Sequence, residues 1–154
     1  MRLLQMHQFK TVHEAYDYCI SEGNMIPKEE IDDDKIKACL RIAEEDLQTA
    51  KDSISKKRWN SGYKMYYDVL HQLVEVFLKF DKVKLTTHLC LFAYLCVKRP
   101  ELELNWNFFE KVRTKRNGIN YYETPVDEKD WNDVKLEFHL TIKLLKDKIE
   151  EKLK

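Results

Sequence analysis

The sequence contains few of the residues that interrupt regular structure. Only three glycines and three prolines occur among its 154 residues. A turn-rich β protein needs more of both at its turns, so the composition disfavours sheets. Hydrophobic residues make up 44% and charged residues 35% of the chain. This balance excludes the disordered class, because enough apolar surface is present to form a core. The length is that of one domain.

The sequence also lacks an excess of either charge and lacks a long apolar run. Lys plus Arg and Asp plus Glu are equal at 27 each, so any surface that binds nucleic acid has to be a local basic patch. The longest apolar stretch, residues 88–97, is too short to span a bilayer. The first ten residues, MRLLQMHQFK, lack the apolar run of a signal peptide. We therefore expect no membrane segment.

The cysteines show no metal-binding or redox spacing. Cys19, Cys39, Cys90 and Cys96 form no CxxC pair, and no histidine lies at zinc-finger spacing from them. All four lie among apolar residues of helical segments, where a free thiol acts as a small hydrophobic side chain. We expect reduced cysteines, a cytoplasmic location, and neither a metal nor a cofactor.

Apolar residues recur at helical spacing through most of the chain, and no convincing strand is found. The predicted helices cover residues 12–22, 35–55, 61–80, 87–97 and 103–116, and a last helix follows Asp127. The sequence thus predicts an all-α fold: an up-and-down bundle of four or five helices at residues 34–154. Residues 1–33 form a short N-terminal helical extension and a linker in this prediction.

The segment KVRTKRNGINYYETP, residues 111–125, allows two interpretations. Arg116 follows Phe109 and Val112 at helical spacing, so it continues an apolar stripe and needs a partner for its charge. Near it lie polar groups and flat rings, from Asn117, Asn120, Tyr121 and Tyr122. The structural interpretation is a helix end closed by Asn117 or Gly118 before a packed loop. The functional interpretation is a site where arginine binds phosphate and tyrosine stacks on a base.

The stretch Arg113–Tyr122, RTKRNGINYY, resembles the signature of HEPN domains (higher eukaryotes and prokaryotes nucleotide-binding), in the prokaryotic form R-N-x-x-N-Y-Y. Residues 40–47, LRIAEEDL, resemble the first bundle helix of that family. Residues 66–73, YYDVLHQL, resemble its second helix, and Thr87-His88 resembles the start of its third. The resemblance covers residues 35–152.

The resemblance implies a homodimer in which the arginine motifs of two subunits meet in a cleft. It also implies metal-independent RNase activity in many members, and a minimal nucleotidyltransferase as the partner of others in toxin–antitoxin pairs. The RNase motif has a histidine a few residues after its arginine, where a histidine can move the 2′-hydroxyl proton. Here four residues separate Arg116 from Tyr121. The phenol of tyrosine has a pKa near 10, so it is a poor base at neutral pH. The histidines all lie outside this motif, at His7, His13, His71, His88 and His139.

These residues lead to one main hypothesis and two alternatives. The main one is a HEPN-like protein that binds RNA or a nucleotide, with Arg116 as the anchor. Asn117, Asn120, Tyr121 and Tyr122 would complete its binding site. The first alternative is an active endoribonuclease in which Arg116 and Tyr121 are catalytic, or in which His71 and His88 replace the missing group. The second alternative is a non-catalytic dimerisation or protein-interaction module.

Overall fold

A computed structural model describes residues 9–154, and these residues form an all-α bundle. The predicted fold class is therefore confirmed. In chain order the elements are α1 (Val12–Ser21), β1 (Met25–Pro27), α2 (Asp33–Ser55), α3 (Trp59–Lys79), β2 (Val83–Leu85), α4 (His88–Lys98), a 3₁₀ turn (Pro100–Leu102), α5 (Trp106–Tyr121) and α6 (Glu128–Lys152).

Short polar side chains cap five of the six helices, and four of these caps lie where the sequence predicts them. Thr11 caps α1, Asp32 caps α2, Thr87 caps α4 and Asp127 caps α6, and each side chain accepts a hydrogen bond from a backbone N–H of the first turn. Such caps satisfy amides that have no partner inside the helix. They explain why helices begin at these points of a chain with few glycines and prolines.

Helix α3 lies at the centre of the bundle, where α2, α4, α5 and α6 all pack against it. Eleven of its side-chain positions are buried, spread over a wide arc of its surface. The three tyrosines of its first half, Tyr63, Tyr66 and Tyr67, are at most 2% exposed. Helix α6 covers one side of α3 with its buried seam, and Trp131 and Phe138 pack against Tyr66 at ring distances of 4.6 and 5.6 Å.

Two features of the loops and helix ends differ from the prediction. Residues 25–27 and 83–85 pair as a small antiparallel sheet, with Met25 opposite Leu85. Three residues per strand are too few to give a period-two pattern in the sequence. Helix α5 continues five residues beyond Arg116 to Tyr121, and Glu123, not Asn117 or Gly118, has the left-handed conformation with φ 54°. Gly118 is helical, and its carbonyl accepts from the amides of Tyr122 and Thr124.

The prediction of four free cysteines is wrong. Cys19 of α1 and Cys90 of α4 form a disulfide, and only Cys39 and Cys96 are free thiols. The sequence separation of 71 residues concealed this pair, because the two cysteines become neighbours only when α1 packs on α4. Disulfides are rare in reducing compartments, so this bond removes the argument for a cytoplasmic location. The location itself stays a prediction.

Within residues 9–154, no helix is both long enough and apolar enough to cross a membrane. The expectation that the first ten residues contain no signal peptide falls mainly on residues 1–8, which lie outside the described part of the chain. His7 lies there as well.

The disulfide gives a first testable prediction. Reduction, or the double substitution Cys19→Ser and Cys90→Ser, frees a closed loop of 71 residues, which raises the conformational entropy of the unfolded chain. We expect the free energy of unfolding to fall by about 2–4 kcal/mol. Urea unfolding with and without reductant measures the change, and Cys39→Ser with Cys96→Ser is the matched control. Equal stability of the oxidised and reduced protein would contradict the assignment.

Candidate functional site

Arg116 lies where α5 crosses α3, and its guanidinium is only partly satisfied. Its carbon Cζ lies 5.3 Å from the centre of the Tyr67 ring. One terminal nitrogen donates to Asp68 over a long 3.5 Å. The Nε atom is buried, and within the described residues no oxygen accepts a hydrogen bond from it. An N–H of a charged group that is buried without an acceptor is costly, so this atom marks a position where an acceptor would be stabilised.

A second arginine of α5, Arg113, was not among the predicted site residues. It is only 6% exposed and is the one charged residue among the buried ones of the described chain. Its Nε and a terminal nitrogen donate to the two carboxylate oxygens of Glu110, at 2.8 and 2.9 Å. This bidentate pair is intrahelical, with partners three residues apart. The i, i+3 spacing of Glu110 and Arg113 was the available signal.

Two histidines from different helices stack beside Arg116. The ring centres of His71 on α3 and His88 on α4 are 3.8 Å apart. The Nδ1 atom of His88 shares a 2.8 Å hydrogen bond with the Tyr67 hydroxyl, and the Nε2 atom of His71 lies 3.4 Å from a carboxylate oxygen of Glu75. The structure thus brings together the two histidines that the sequence offered as substitutes for the motif histidine.

Burial and the nearby cations keep both imidazoles neutral. Burial first, and the charge of Arg116 second, lower the pKa of His71 to about 4. For His88, burial, then His71, then Arg116 lower the pKa to about 4 as well. Two stacked rings cannot both be charged at this distance without strong repulsion. At neutral pH both rings are therefore unprotonated.

The acidic partner of Arg116 is also perturbed. Burial raises the pKa of Asp68 above its ordinary value, although the charge of Arg116 opposes this change. Asp68 is nevertheless 41% exposed at its side chain, whereas Arg116 is 20% exposed. The carboxylate therefore lies at the rim, and the guanidinium lies deeper. Solvent competes with a single 3.5 Å contact of this kind, so Asp68 is a weak and replaceable partner.

Some residues of the segments that carry the family resemblance lie at or near this site. Helix α2 contributes Asp46, whose carboxylate accepts a 2.9 Å hydrogen bond from Gln72 of α3. Helix α4 contributes His88 through Tyr67, and α5 contributes Arg116. We call the cluster of Tyr67, Asp68, His71, His88 and Arg116 the arginine–histidine site.

The other predicted site residues are distributed around the end of α5. Asn117 is half-buried and Asn120 is exposed. Tyr121 and Tyr122 are 49% and 45% exposed. Helical rotation of roughly 100° per residue turns both tyrosines away from the direction of Arg116.

Tyr122 instead lines a surface groove of about 660 Å³ on another face of α5, together with Trp106, Lys111 and Lys115. The structure brings Arg116 to Tyr67 and the histidines, and it leaves the two terminal tyrosines at the surface.

Among residues 9–154, no three histidine, cysteine or acidic side chains come together in a way that could hold a metal ion. The arginine–histidine site contains a fixed cation, which is unfavourable for a second one at short range. Its guanidinium has a nitrogen that is unsatisfied within the described residues, and the two imidazoles beside it are neutral.

Comparison with known proteins adds no family. No family model matches the chain, and neither a curated protein nor a solved structure shows significant similarity to it. The resemblance to HEPN domains therefore depends on the sequence motifs alone.

The depressed histidine pKa values predict how stability depends on pH. An unfolded histidine binds a proton near pH 6.5, whereas the folded pair binds one only near pH 4. Between these values the unfolded state holds more protons, so stability falls as the pH decreases through this window and is complete above it. Each histidine contributes a loss on the order of 3 kcal/mol, and less where solvent reaches its ring.

Denaturant unfolding from about pH 7 to pH 4 measures this loss. The double variant His71→Gln and His88→Gln should show a flatter dependence. The control His13→Gln changes an exposed histidine of α1 and should keep the wild-type slope. An unchanged slope in the double variant would show that the pair does not titrate as described.

Proposed function

We propose that this protein binds a phosphate group of RNA or of a nucleotide at the arginine–histidine site, with Arg116 as the anchor. The observation that carries the proposal is the buried Nε atom of Arg116, which has no acceptor among the described residues. A phosphate offers two oxygens to two nitrogens of one guanidinium, a geometry that suits arginine better than lysine.

The surroundings of Arg116 favour an anion that arrives from solvent. The Tyr67 ring lies against the guanidinium, so the cation is held in place by a flat surface that does not compete for its hydrogen bonds. Asp68 supplies one long contact at the exposed rim. An entering phosphate would replace this carboxylate and, in addition, satisfy Nε. The exchange gains a buried charge-assisted hydrogen bond, which is worth about 1.5–3 kcal/mol.

The remaining parts of the hypothesis extend this site to a longer ligand. Asn117 and Asn120 would hydrogen-bond to it, and the exposed rings of Tyr121 and Tyr122 would stack on unpaired bases farther along the strand. A homodimer, a minimal nucleotidyltransferase partner in a toxin–antitoxin pair, and a cytoplasmic location are predictions from the resemblance and the composition.

Substitution of Arg116 tests the proposal. We expect Arg116→Ala to raise the dissociation constant for a labelled single-stranded RNA by roughly tenfold or more, and Arg116→Lys to rescue only part of the loss because lysine lacks the bidentate fork. Asp68→Asn should bind more tightly than wild type, since it removes the competing charge. Fluorescence anisotropy at several salt concentrations gives the affinities.

The matched control is Arg41→Ala, which removes an exposed arginine of α2 and should leave the affinity unchanged. Inorganic phosphate and a nucleoside monophosphate serve as competitors that separate phosphate binding from base stacking. If Arg116→Ala and Arg41→Ala have equal effects, binding is nonspecific. If no RNA or nucleotide binds at low salt, the interaction-module alternative is favoured.

A second candidate function, metal-independent RNA cleavage, is favoured by the stacked histidines. The sequence has Tyr121 where the family motif has histidine, but His71 and His88 supply neutral imidazoles beside Arg116 from α3 and α4. An imidazole would accept the 2′-hydroxyl proton as O2′ attacks phosphorus. The bond from phosphorus to O5′ then breaks, and the same imidazolium returns the proton to O5′. Arg116 would stabilise the charge on the phosphoryl oxygens.

The products of that reaction are a 2′,3′-cyclic phosphate and a 5′-hydroxyl end. Phosphate bound to Arg116 would offset the charge that lowers the histidine pKa values, so the proton acceptor becomes stronger when the substrate is present.

A cleavage assay in excess EDTA tests this activity. We expect His71→Gln or His88→Gln to lower the cleavage rate roughly 100-fold without weakening the binding of RNA. His139→Gln is the control, because His139 contacts Tyr66 on another side of α3. Tyr121→Phe tests the predicted catalytic role of the phenol. RNA that is bound but stays intact with wild-type protein would leave binding as the function.

A further inference from the structure

The outer face of α6 has a regular stripe of six exposed residues. In chain order they are Lys129, Asp133, Leu136, Leu140, Lys143 and Asp147. Their spacing is four, three, four, three and four residues, which is the heptad spacing of a helix that packs against another helix. The buried seam of the same helix contains Phe138. Leu136 and Leu140 lie two residues before and after it, on the opposite side of the helix. We call these six residues the outer stripe.

The two leucines of the outer stripe have no partner in the bundle to bury them. Leu136 is 66% and Leu140 is 59% exposed, and these are the highest values among the large apolar side chains of residues 9–154. A single exposed leucine is ordinary. Leu136 and Leu140, however, lie on one face and one turn apart, at the middle of a heptad pattern. They form the apolar centre of a surface that a second helix can cover.

The charges of the outer stripe are arranged symmetrically about its centre. Take two copies of α6 that run antiparallel and are related by a two-fold axis at the level of Phe138. Leu136 of one copy then faces Leu140 of the other. On each side of this centre, Asp133 faces Lys143 of the other copy. At the ends, Lys129 faces Asp147. Every pair is apolar with apolar or acid with base, so the stripe is complementary to itself.

We propose that the outer stripe of α6 is a homodimer interface, in which a second copy of this chain packs antiparallel with its own outer stripe. Charge complementarity selects this occupant and this orientation. A parallel pairing in register would place Asp133 on Asp133 and Lys143 on Lys143, and like charges that face each other are unfavourable. Of these two orientations, only the antiparallel one gives each of the six residues a favourable partner.

Ion pairs within α6 connect the charged side chains of the outer stripe to each other. Lys129 lies 3.3 Å from Asp133, and Lys143 lies 3.0 Å from Asp147. When two copies meet, the first pair of one copy faces the second pair of the other. Each end of the interface is then a cluster of two acids and two bases. Such networks are worth more than isolated surface pairs.

The size of the stripe indicates a reversible dimer. Eighteen residue steps separate Lys129 from Asp147, which is about 27 Å of helix. One helix face of this length lies at the small end of specific interfaces, so the dimer should dissociate on dilution. The proposal does not depend on the function above, since the outer stripe uses none of the residues of the arginine–histidine site.

Sedimentation of the full chain over a broad concentration series tests the interface. We expect wild type to pass from monomer to dimer with rising concentration. The double variant Leu136→Ser and Leu140→Ser should weaken association roughly tenfold or more. The control Ile42→Ser changes an apolar side chain of α2 that is 54% exposed and should dimerise as wild type does. A wild-type monomer at every concentration, or a dimer unaffected by the leucine substitutions, overturns the proposal.

A charge exchange tests the antiparallel orientation. Asp133→Lys and Lys143→Asp each create two like-charge contacts in the homodimer, and each variant alone should be mainly monomeric. An equimolar mixture should recover a dimer of wild-type strength, because the two substituted side chains then face each other with opposite charges and the remaining pair is unchanged. A mixture that stays monomeric rules out the antiparallel pairing. Circular dichroism checks that both variants keep the helical fold.

Discussion

Most of this structure depends on the burial of one helix, α3, on nearly every side. Four other helices pack against it, and its tyrosines fill the space between them. A tyrosine hydroxyl needs a partner when buried, and that of Tyr63 has none among the described residues. Tyr66 meets His139 of α6, and Tyr67 meets His88 of α4. The aromatic core thus determines which polar groups come to the edges of α3, and the arginine–histidine site is one of those edges.

The two arginines of α5 differ in the number and length of the hydrogen bonds that their guanidinium groups make. This difference distinguishes a structural arginine from a candidate for ligand binding. Arg113 is the more buried, and Glu110 satisfies it with two short hydrogen bonds. A buried pair of this kind loses stability when one partner is removed, but it has little capacity for a ligand. Arg116 is more accessible, its single contact to Asp68 is long, and its Nε has no acceptor among the described residues. The difference between these neighbours is the physical basis for proposing Arg116, and not Arg113, as a ligand-binding residue.

The neutral state of the histidines follows from the same arrangement. Two imidazoles beside a fixed guanidinium cannot hold protons near neutrality, because burial and the cation both oppose the charged form. A phosphate on Arg116 would offset the positive charge that, after burial, contributes to lowering both histidine pKa values. The proton affinity of His71 and His88 would then rise only when the site is occupied. This coupling links the binding function to the proposed cleavage in a way that a lone histidine on the surface could not provide.

Sequence periodicity was sufficient to predict the buried face of helices whose apolar residues recur at regular spacing. The seam of α6, from Trp131 to Ile149, is buried at each predicted position, since a 3.6-residue period directly reports the face of a helix. The end of α5 was predicted at Arg116 because Asn-Gly commonly closes helices. In the structure the chain remains helical there, and the hydrogen bonds that close the helix come from Tyr122 and Thr124.

Features that depend on two distant segments were harder to predict. The Cys19–Cys90 bond and the stack of His71 on His88 arise from helix pairing, and no local pattern encodes which helices pair. The partly buried position of Arg116 was predictable because this arginine continues an apolar stripe, and its role in binding stays a prediction. A charged residue on an apolar stripe violates a local rule, and such violations are expected at functional sites.

Helix α6 shows why one heptad helix can serve the bundle and an interface at once. Its inner seam is buried against α3, and the opposite face repeats the same spacing with leucines at the centre and charges at both ends. Leu136 and Leu140 lie between charges whose signs are complementary under two-fold rotation, and this arrangement supports the proposed interface. An α6 pairing also leaves the exposed carboxylates of Asp68 and Glu75 at the surface. The arginine–histidine site is assembled from α3, α4 and α5 of a single chain, so association through α6 would join two complete sites. This dimer therefore differs from the dimer implied by the resemblance, in which the arginine motifs of two subunits share one cleft.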